Sequence, residues 1–322
     1  MCSSPASDEG VRFEDVKSSN RQKGETMKHC FVVVAAVCML AASTAVADTT
    51  PVMVSVWDPA QLPSRKYDVM GFRCSLLYGR CHNLTGLDVG LFQIATGDFS
   101  GIGVGGVNFS KSLLYGLQVG GLGNMSGVVH GIQIGGLGNG GISGVRGMQI
   151  GGIGNGASND VCGVQIGGLL NWNQGDLYGL QIASGFNVTK GDVYGCQIAV
   201  GACPPFVPGV NHSGSVHGAQ IGCFNIPDGD VYGLQIGGIN KCGESFENAG
   251  CMCGLQVGVA DFTGDMSGVQ IGVVNIVRRV KGLQIGVVNW TETMECGLQI
   301  GLWNQIKNNG WATVLPIVNG HF

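Results

Sequence analysis

Charge is what this 322-residue chain has least of. Asp, Glu, Lys and Arg together make up 12% of it and leave a net charge of −4. That balance offers no basic footprint for nucleic acid and few groups for acid–base chemistry. Proline is also scarce, 9 residues against 58 glycines, so the glycine is not that of a collagen triple helix, which needs a strict Gly-x-y period with abundant Pro. Aromatic residues are 7%, thin for the two girdles of a membrane barrel. The longest apolar run, Phe31 to Ala42, is too short to cross a membrane as a helix. No Gly-Lys-Ser/Thr phosphate loop and no Gly-x-Ser-x-Gly nucleophile elbow occur. Disordered glycine-rich chains lack regular β-branched residues; here Ile and Val return at fixed places.

The N-terminal region reads as an export address. After a polar stretch of mixed charge, Met27-Lys28-His29 leads into the apolar run, and Ala45-Val46-Ala47 precedes Asp48. This is the basic region, apolar region and cleavage site of a signal peptide over 27–47, with Met27 expected as the start and residues 1–26 as an upstream extension. Cys38 lies inside the apolar run behind Val37, which is wrong for a lipoprotein cysteine. Of 13 cysteines, Cys2, Cys30 and Cys38 precede the cleavage site. The even number remaining permits disulfides in an exported chain; Cys74/Cys81 and Cys196/Cys203 are the candidate bridges, free thiols the alternative. Cys242, Cys251 and Cys253 cluster without a paired Cys-x-x-Cys or a nearby His, so no metal is expected there.

The organisation is set by a repeat. Gly-x-Gln-Ile/Val occurs at Gln118, Gln133, Gln149, Gln165, Gln181, Gln197, Gln220, Gln235, Gln256, Gln270, Gln284 and Gln299, mostly 14–16 residues apart. Degenerate copies carry Gly103 in the Gln place and surround Gln93. Two longer spacings hold insertions, Cys203–Ser213 and Lys241–Cys251, which mark a loop face. Counting from Gln as zero, Gly stands at −2 and usually +2, apolar residues at −4, −1, +1 and +4, and Asn at +5 or +6. Gly at +3 in Gly121, Gly136, Gly152 and Gly238 makes some repeats thin.

Residues −1 and +1 share one face of a strand and Gln takes the other. The displaced apolar residues at ±4 imply bends, and Gly permits them. The expectation is an all-β repeat solenoid of about 13 rungs and roughly 60 Å at ~4.8 Å per rung, with apolar residues inward, Asn in a ladder and Gln outward. One unit cannot bury its own face, so units must stack. Residues 48–85 and 305–322 depart from the repeat and are expected to cap the ends of the 86–304 array. The competing architecture is an antiparallel β-barrel with one strand per repeat, a reading that the terminal Phe322 suits and the broken alternation does not.

Three blocks carry a family resemblance. They are Asp68-Val69-Met70-Gly71-Phe72-Arg73 with the following Leu76-Leu77-Tyr78-Gly79-Arg80 and Asn83 to Gly90, then the repeats, then Leu315-Pro316-Ile317-Val318-Asn319-Gly320-His321-Phe322. From about residue 52 to the end, the chain resembles the surface-repeat proteins of Gram-negative bacteria that carry Gly-Leu-Gln-Ile-Gly-x-x-Asn repeats. The resemblance implies export and a cell-surface, outer-membrane or periplasmic setting. It implies no activity and carries over no functional residue.

No constellation of acid, base and nucleophile emerges, and neither enzyme activity nor a cofactor is expected. Gly-Ile-Gly-Val-Gly-Gly at 101–106 satisfies a dinucleotide pattern only because glycine is everywhere; no acidic residue follows at the required distance. The pairs Gly175-Asp176, Gly191-Asp192, Gly229-Asp230 and Gly264-Asp265 lack the second Asp of calcium repeats and are read as turns. Position −3 is the variable one: Tyr115, His130, Arg146, Tyr178, Tyr194, His217 and Tyr232 form a candidate interaction column suited to multivalent binding of an envelope polymer, glycan or protein. The expected function is a non-enzymatic exported surface or envelope scaffold, structural or adhesive, with membrane association open; the alternative is an outer-membrane barrel with a pore or scaffold role.

Overall fold

A computed structural model describes residues 49–201, 208–243, 250–310 and 312–322. The expected extension, the signal peptide and Cys203 lie outside these residues, as do parts of both insertions. The described chain is all-β, a solenoid of about 16 turns and not a barrel. Strands of successive turns pair in parallel and in register, so that Gln149, Gln165, Gln181 and Gln197 stand in one row. Parallel pairing is incompatible with an up-and-down barrel of one strand per repeat. A second row runs along another wall, where Asn155, Asn171, Asn187 and Asn211 pair residue for residue.

The turn count exceeds the repeat count because three more residues stand in the Gln register before the degenerate copy at Gly103. Met53 pairs with Arg73, Arg73 with Asp88, and Asp88 with Gly103. Gln93 is not a copy of the repeat Gln: it pairs with Asn108 and belongs to the Asn row. Residues 68–81 are therefore true turns of the stack. At the N-terminal end, Thr49–Trp57 pairs parallel with Asp68–Cys81 and antiparallel with the short strand Ala60–Leu62. At the C-terminal end, Val314–His321 runs antiparallel along Val288–Ile306.

The corners follow from glycine. Gly at −2 has φ between +128° and +155° from Gly116 to Gly297, a region that side chains other than hydrogen resist. A Cβ there would also run into the carbonyl oxygen of the corresponding glycine one turn below, as Gly179 over Gly163 and Gly195 over Gly179. The turns can approach to sheet spacing at this corner only because both lack side chains.

The expected arrangement of inside and outside is reversed at the repeat core. Gln133 is 0% exposed, while Ile132 and Ile134 on either side of it are 40% and 38% exposed. All twelve repeat glutamines are buried, and the −1 and +1 residues face outward. The reason lies at +2, which shares Gln's side of the strand. In the twelve Gln copies it is only Gly or Ala, and a Cβ on Gly167 would stand 2.8 Å from the Asn171 amide oxygen. That crowding identifies the Gln side as the interior. The apolar −4 residues do point inward as expected: Val161, Leu177, Val193, Val216 and Val231 are fully buried.

A buried amide must be hydrogen-bonded, and these are bonded to each other. Each Gln Nε2 donates to the Gln Oε1 of the preceding turn through eleven consecutive steps from Gln133 to Gln299. The Asn row runs the other way. Asn155 Nδ2 donates to Asn171 Oδ1 of the next turn at 2.9 Å and to the Ile166 carbonyl at 2.8 Å, and the pattern recurs at Asn171, Asn187, Asn211 and Asn225. Each such bond contributes a net ~0.5–1.5 kcal/mol, whereas leaving one end unpaired costs more, about 1–3 kcal/mol. The interior thus specifies register amide by amide.

Candidate functional site

The −3 residues lie on the corner strand beside the buried −4 column. Alternation turns them outward, and Tyr115, Tyr178, Tyr194, His217 and Tyr232 are all exposed. Register places Tyr178 on Tyr194, Tyr194 on His217 and His217 on Tyr232. Their rings stack with centroids 4.9, 4.8 and 5.0 Å apart and interplanar angles of 3°, 14° and 18°. Tyr115 and His130 form a separate edge-to-face pair at 5.1 Å. Arg146 and Cys162 separate the two groups of rings in register. The column is thus assembled in one line, in which Tyr194 and His217 are covered by a ring on both faces and Tyr178 and Tyr232 on one.

Gly175-Asp176, Gly191-Asp192 and Gly229-Asp230 lie at bends between strands, whereas Gly264-Asp265 lies within the strand Ala260–Ile271, and the geometry gives each carboxylate work. Asp160 Oδ1 accepts from the Asp176 amide, Asp176 from Asp192, Asp192 from Ser215 and Asp230 from Cys251, at 2.9, 2.9, 2.8 and 2.7 Å. Each of these four carboxylates holds the next turn's backbone. Its charge is felt by the phenols: Asp230 pushes the Tyr232 hydroxyl pKa up, while Tyr178 is raised by desolvation and by Asp176. Gly264-Asp265 differs, with Asp265 accepting from Arg279 at both oxygens and paired also with Arg278; these arginines hold its carboxyl below the usual range.

The candidate bridge Cys74/Cys81 is absent: both thiols are free. Cys81 is buried, and burial pushes its thiol up to about 11; Cys242, buried between Gln235 and Gln256, is pushed up to about 12. Thiols so held are poor nucleophiles. Among the described residues, no group of three His, Cys, Asp or Glu side chains is placed to share a metal ion.

Two features escaped the sequence reading. At the N-terminal end Arg73 takes the Gln place and is fully buried. It donates from Nε to Asp88 Oδ1 at 2.8 Å, pairs through Nη2 with Oδ2, and donates from Nη1 to the Ile94 carbonyl at 3.0 Å. The alignment of Arg73 with Asp88, 15 residues apart like the repeat, was the available signal. The second is the outer surface. The −1 and +1 residues form parallel apolar lines along one wall, and a trough of about 600 Å³ opens on the wall of the Asn row. Leu122, Leu137 and Ile153 line it lengthwise and Met125 and Trp172 stand at its ends, with Lys190 Nζ 5.6 Å from the Trp172 ring. Thin, glycine-rich repeats make the trough: a Cβ on Gly140 would meet only the Met125 side chain, at 3.6 Å.

The fold and its exterior define a class, a parallel β-solenoid with an amide-filled interior and apolar outer lines. No family model, curated protein or solved structure matches the chain.

Proposed function

We propose that the chain is a non-enzymatic exported scaffold of the cell surface or envelope, which lies with its apolar wall against an extended partner. The observation that carries this reading is the inverted patterning: amides fill the interior while Ile, Leu and Val line the outside for the length of the stack. Monomeric proteins rarely leave contiguous apolar surface beyond a few hundred Å² uncovered, and larger patches mark contact with a protein or membrane. The signal-peptide pattern and the resemblance to Gram-negative surface-repeat proteins favour an envelope partner over a cytoplasmic one. A repeated wall suits many weak contacts to a polymer, glycan-bearing surface or protein better than one tight site. The stacked Tyr/His column borders this wall and, with Tyr194 and His217 covered on both faces, serves the stack more than the partner. Nucleic acid is disfavoured by the negative net charge.

Fractionation of cells expressing the full chain tests the proposal. The expected result is recovery with the envelope, resistance to a salt wash and release by urea. Replacing Ile166, Ile182 and Ile198 by Thr keeps β-forming residues while making the wall polar, and should move the folded chain to the soluble fraction. A wild-type chain found soluble without any wash would overturn the reading, as would a triple variant that stays bound.

A further inference from the structure

One residue breaks the interior Asn row. Asp261 stands where every neighbouring turn has Asn, pairing in register with Asn240 below and Asn275 above. It is 0% exposed. Asn240 Nδ2 donates to Asp261 Oδ1 at 2.7 Å, continuing the row up to that point, and Asn275 Nδ2 donates onward to Asn289 Oδ1 at 2.7 Å. Between Asp261 and Asn275 the row is interrupted. Asp261 Oδ2 and Asn275 Oδ1 are both buried without a hydrogen-bond partner. They converge on the same spot, since a Cβ on Gly272 would lie 2.9 Å from the first and 2.8 Å from the second. Two acceptors face each other where the row needs a donor.

We propose that Asp261 is a proton site inside the solenoid: the neutral carboxyl donates from Oδ2 to Asn275 Oδ1 and closes the Asn row, and loss of that proton opens it. One proton satisfies both orphaned atoms, which no rotation of an ionised carboxylate can do, because it has acceptors only. Burial favours the same neutral form and pushes the carboxyl up to about 6, against the opposing bond from Asn240. Among the described residues, no counter-charge contributes to the shift. From the preceding turn, Cys242 is the titratable group facing the same interior, and it stays a neutral thiol, pushed up to about 12. Lys241 on that turn follows the inward Asn240 and so points to the outer side. Arg278 and Arg279 on the following turn are engaged with Asp265, which lies on Asp261's own strand.

The direction of the pH dependence follows. The folded chain holds the proton about 100-fold more tightly than an unfolded carboxyl near 3.9 would. Folded protein therefore binds more protons between about pH 4 and 6, and stability falls as pH rises through that window. Above it, the chain carries an ionised, unpaired oxygen against Asn275.

Thermal unfolding of the wild type and Asp261→Asn between pH 4.5 and 8 tests this, because Asn restores the amide donor at every pH. The wild-type midpoint should drop relative to the variant as pH rises, with an inflection near 6, the variant being the more stable at pH 8. Parallel profiles, or a wild type that is more stable at pH 8, would overturn the proposal. Infrared spectroscopy of the wild type gives an independent readout: a protonated-carboxyl band should persist at pH 5.5, where ordinary carboxyls are ionised, and be lost by pH 7.5. Absence of that band at pH 5.5 would sink the idea even if the variant failed to fold.

Discussion

A side chain on Gly179 would collide with the carbonyl oxygen of Gly163, the equivalent residue one turn earlier. The same glycine has φ of +144°, so it is constrained twice, by backbone conformation and by the approach of its neighbour. Gly179→Ala is expected to cost about 3 kcal/mol or more, since unfavourable φ alone contributes ~1–3 kcal/mol and the overlap adds to it. Gly140, where a Cβ meets only Met125 at 3.6 Å, is the control. Gly140→Ala should change stability by no more than about 1 kcal/mol, towards stabilisation, because it restricts the unfolded chain. Denaturant unfolding of both variants decides the matter, and equal losses would contradict the corner argument.

Gln165→Leu is the corresponding test of the interior. Gln165 Nε2 donates to Gln149 Oε1, and Gln165 Oε1 accepts from Gln181 Nε2, both at 2.8 Å. A leucine has similar bulk but leaves an acceptor and a donor buried and unpaired. At about 1–3 kcal/mol each, the expected loss is about 2–6 kcal/mol. An apolar residue that stabilised this position would mean the row is dispensable.

At the N-terminal end, Asp88→Ala should be more damaging than its single acidic side chain suggests. It strands the fully buried Arg73 guanidinium, and breaking a buried pair from one side typically costs about 3–5 kcal/mol. Replacing both residues, Arg73→Met with Asp88→Ala, removes the stranded charge and should recover much of that loss. A double-mutant cycle on unfolding free energy measures the coupling.

The ring column is expected to act on stability in small steps. Each stacked pair contributes about 0.5–1.5 kcal/mol, so Tyr194→Ala, which removes contacts to both Tyr178 and His217, should cost about 1–3 kcal/mol. Alanine at Tyr178, Tyr194 and Tyr232 together should leave envelope association of the folded chain in place. Loss of binding without loss of fold would return the column to the role of primary contact surface.

The repeat, its glycine corners and the stacking of equivalent residues were legible in the sequence because spacing alone reveals them. The Asn row was legible for the same reason. The side on which Gln133 and Ile134 fall was not, because alternation says only that they are on opposite sides, and the usual preference of apolar residues for the interior then chose wrongly. A better signal was present. Across the twelve Gln copies, position −1 tolerates Leu, Ile, Met, Val, Cys and Ala, while +2 is only Gly or Ala. Tolerance belongs to a surface and intolerance to a crowded interior, whatever the polarity of the residue. The ring contacts from Tyr178 to Tyr232 followed from a shared −3 position, but their stacking angle did not, since it depends on rotamers that the corner sets. Asp261 was hidden for a simpler reason: it sits in the Asn place of the repeat that follows an insertion, where Asp in place of Asn reads as ordinary variation.

The two amide rows point in opposite directions, Gln towards the first turn and Asn towards the last. Aligned amides in a single row would sum their dipoles and build partial charge at the two ends, as the backbone of a helix does. Here the dipoles of the two rows oppose each other, so their contributions at the ends offset. Adding or removing a whole turn lengthens or shortens both rows together and leaves that offset in place.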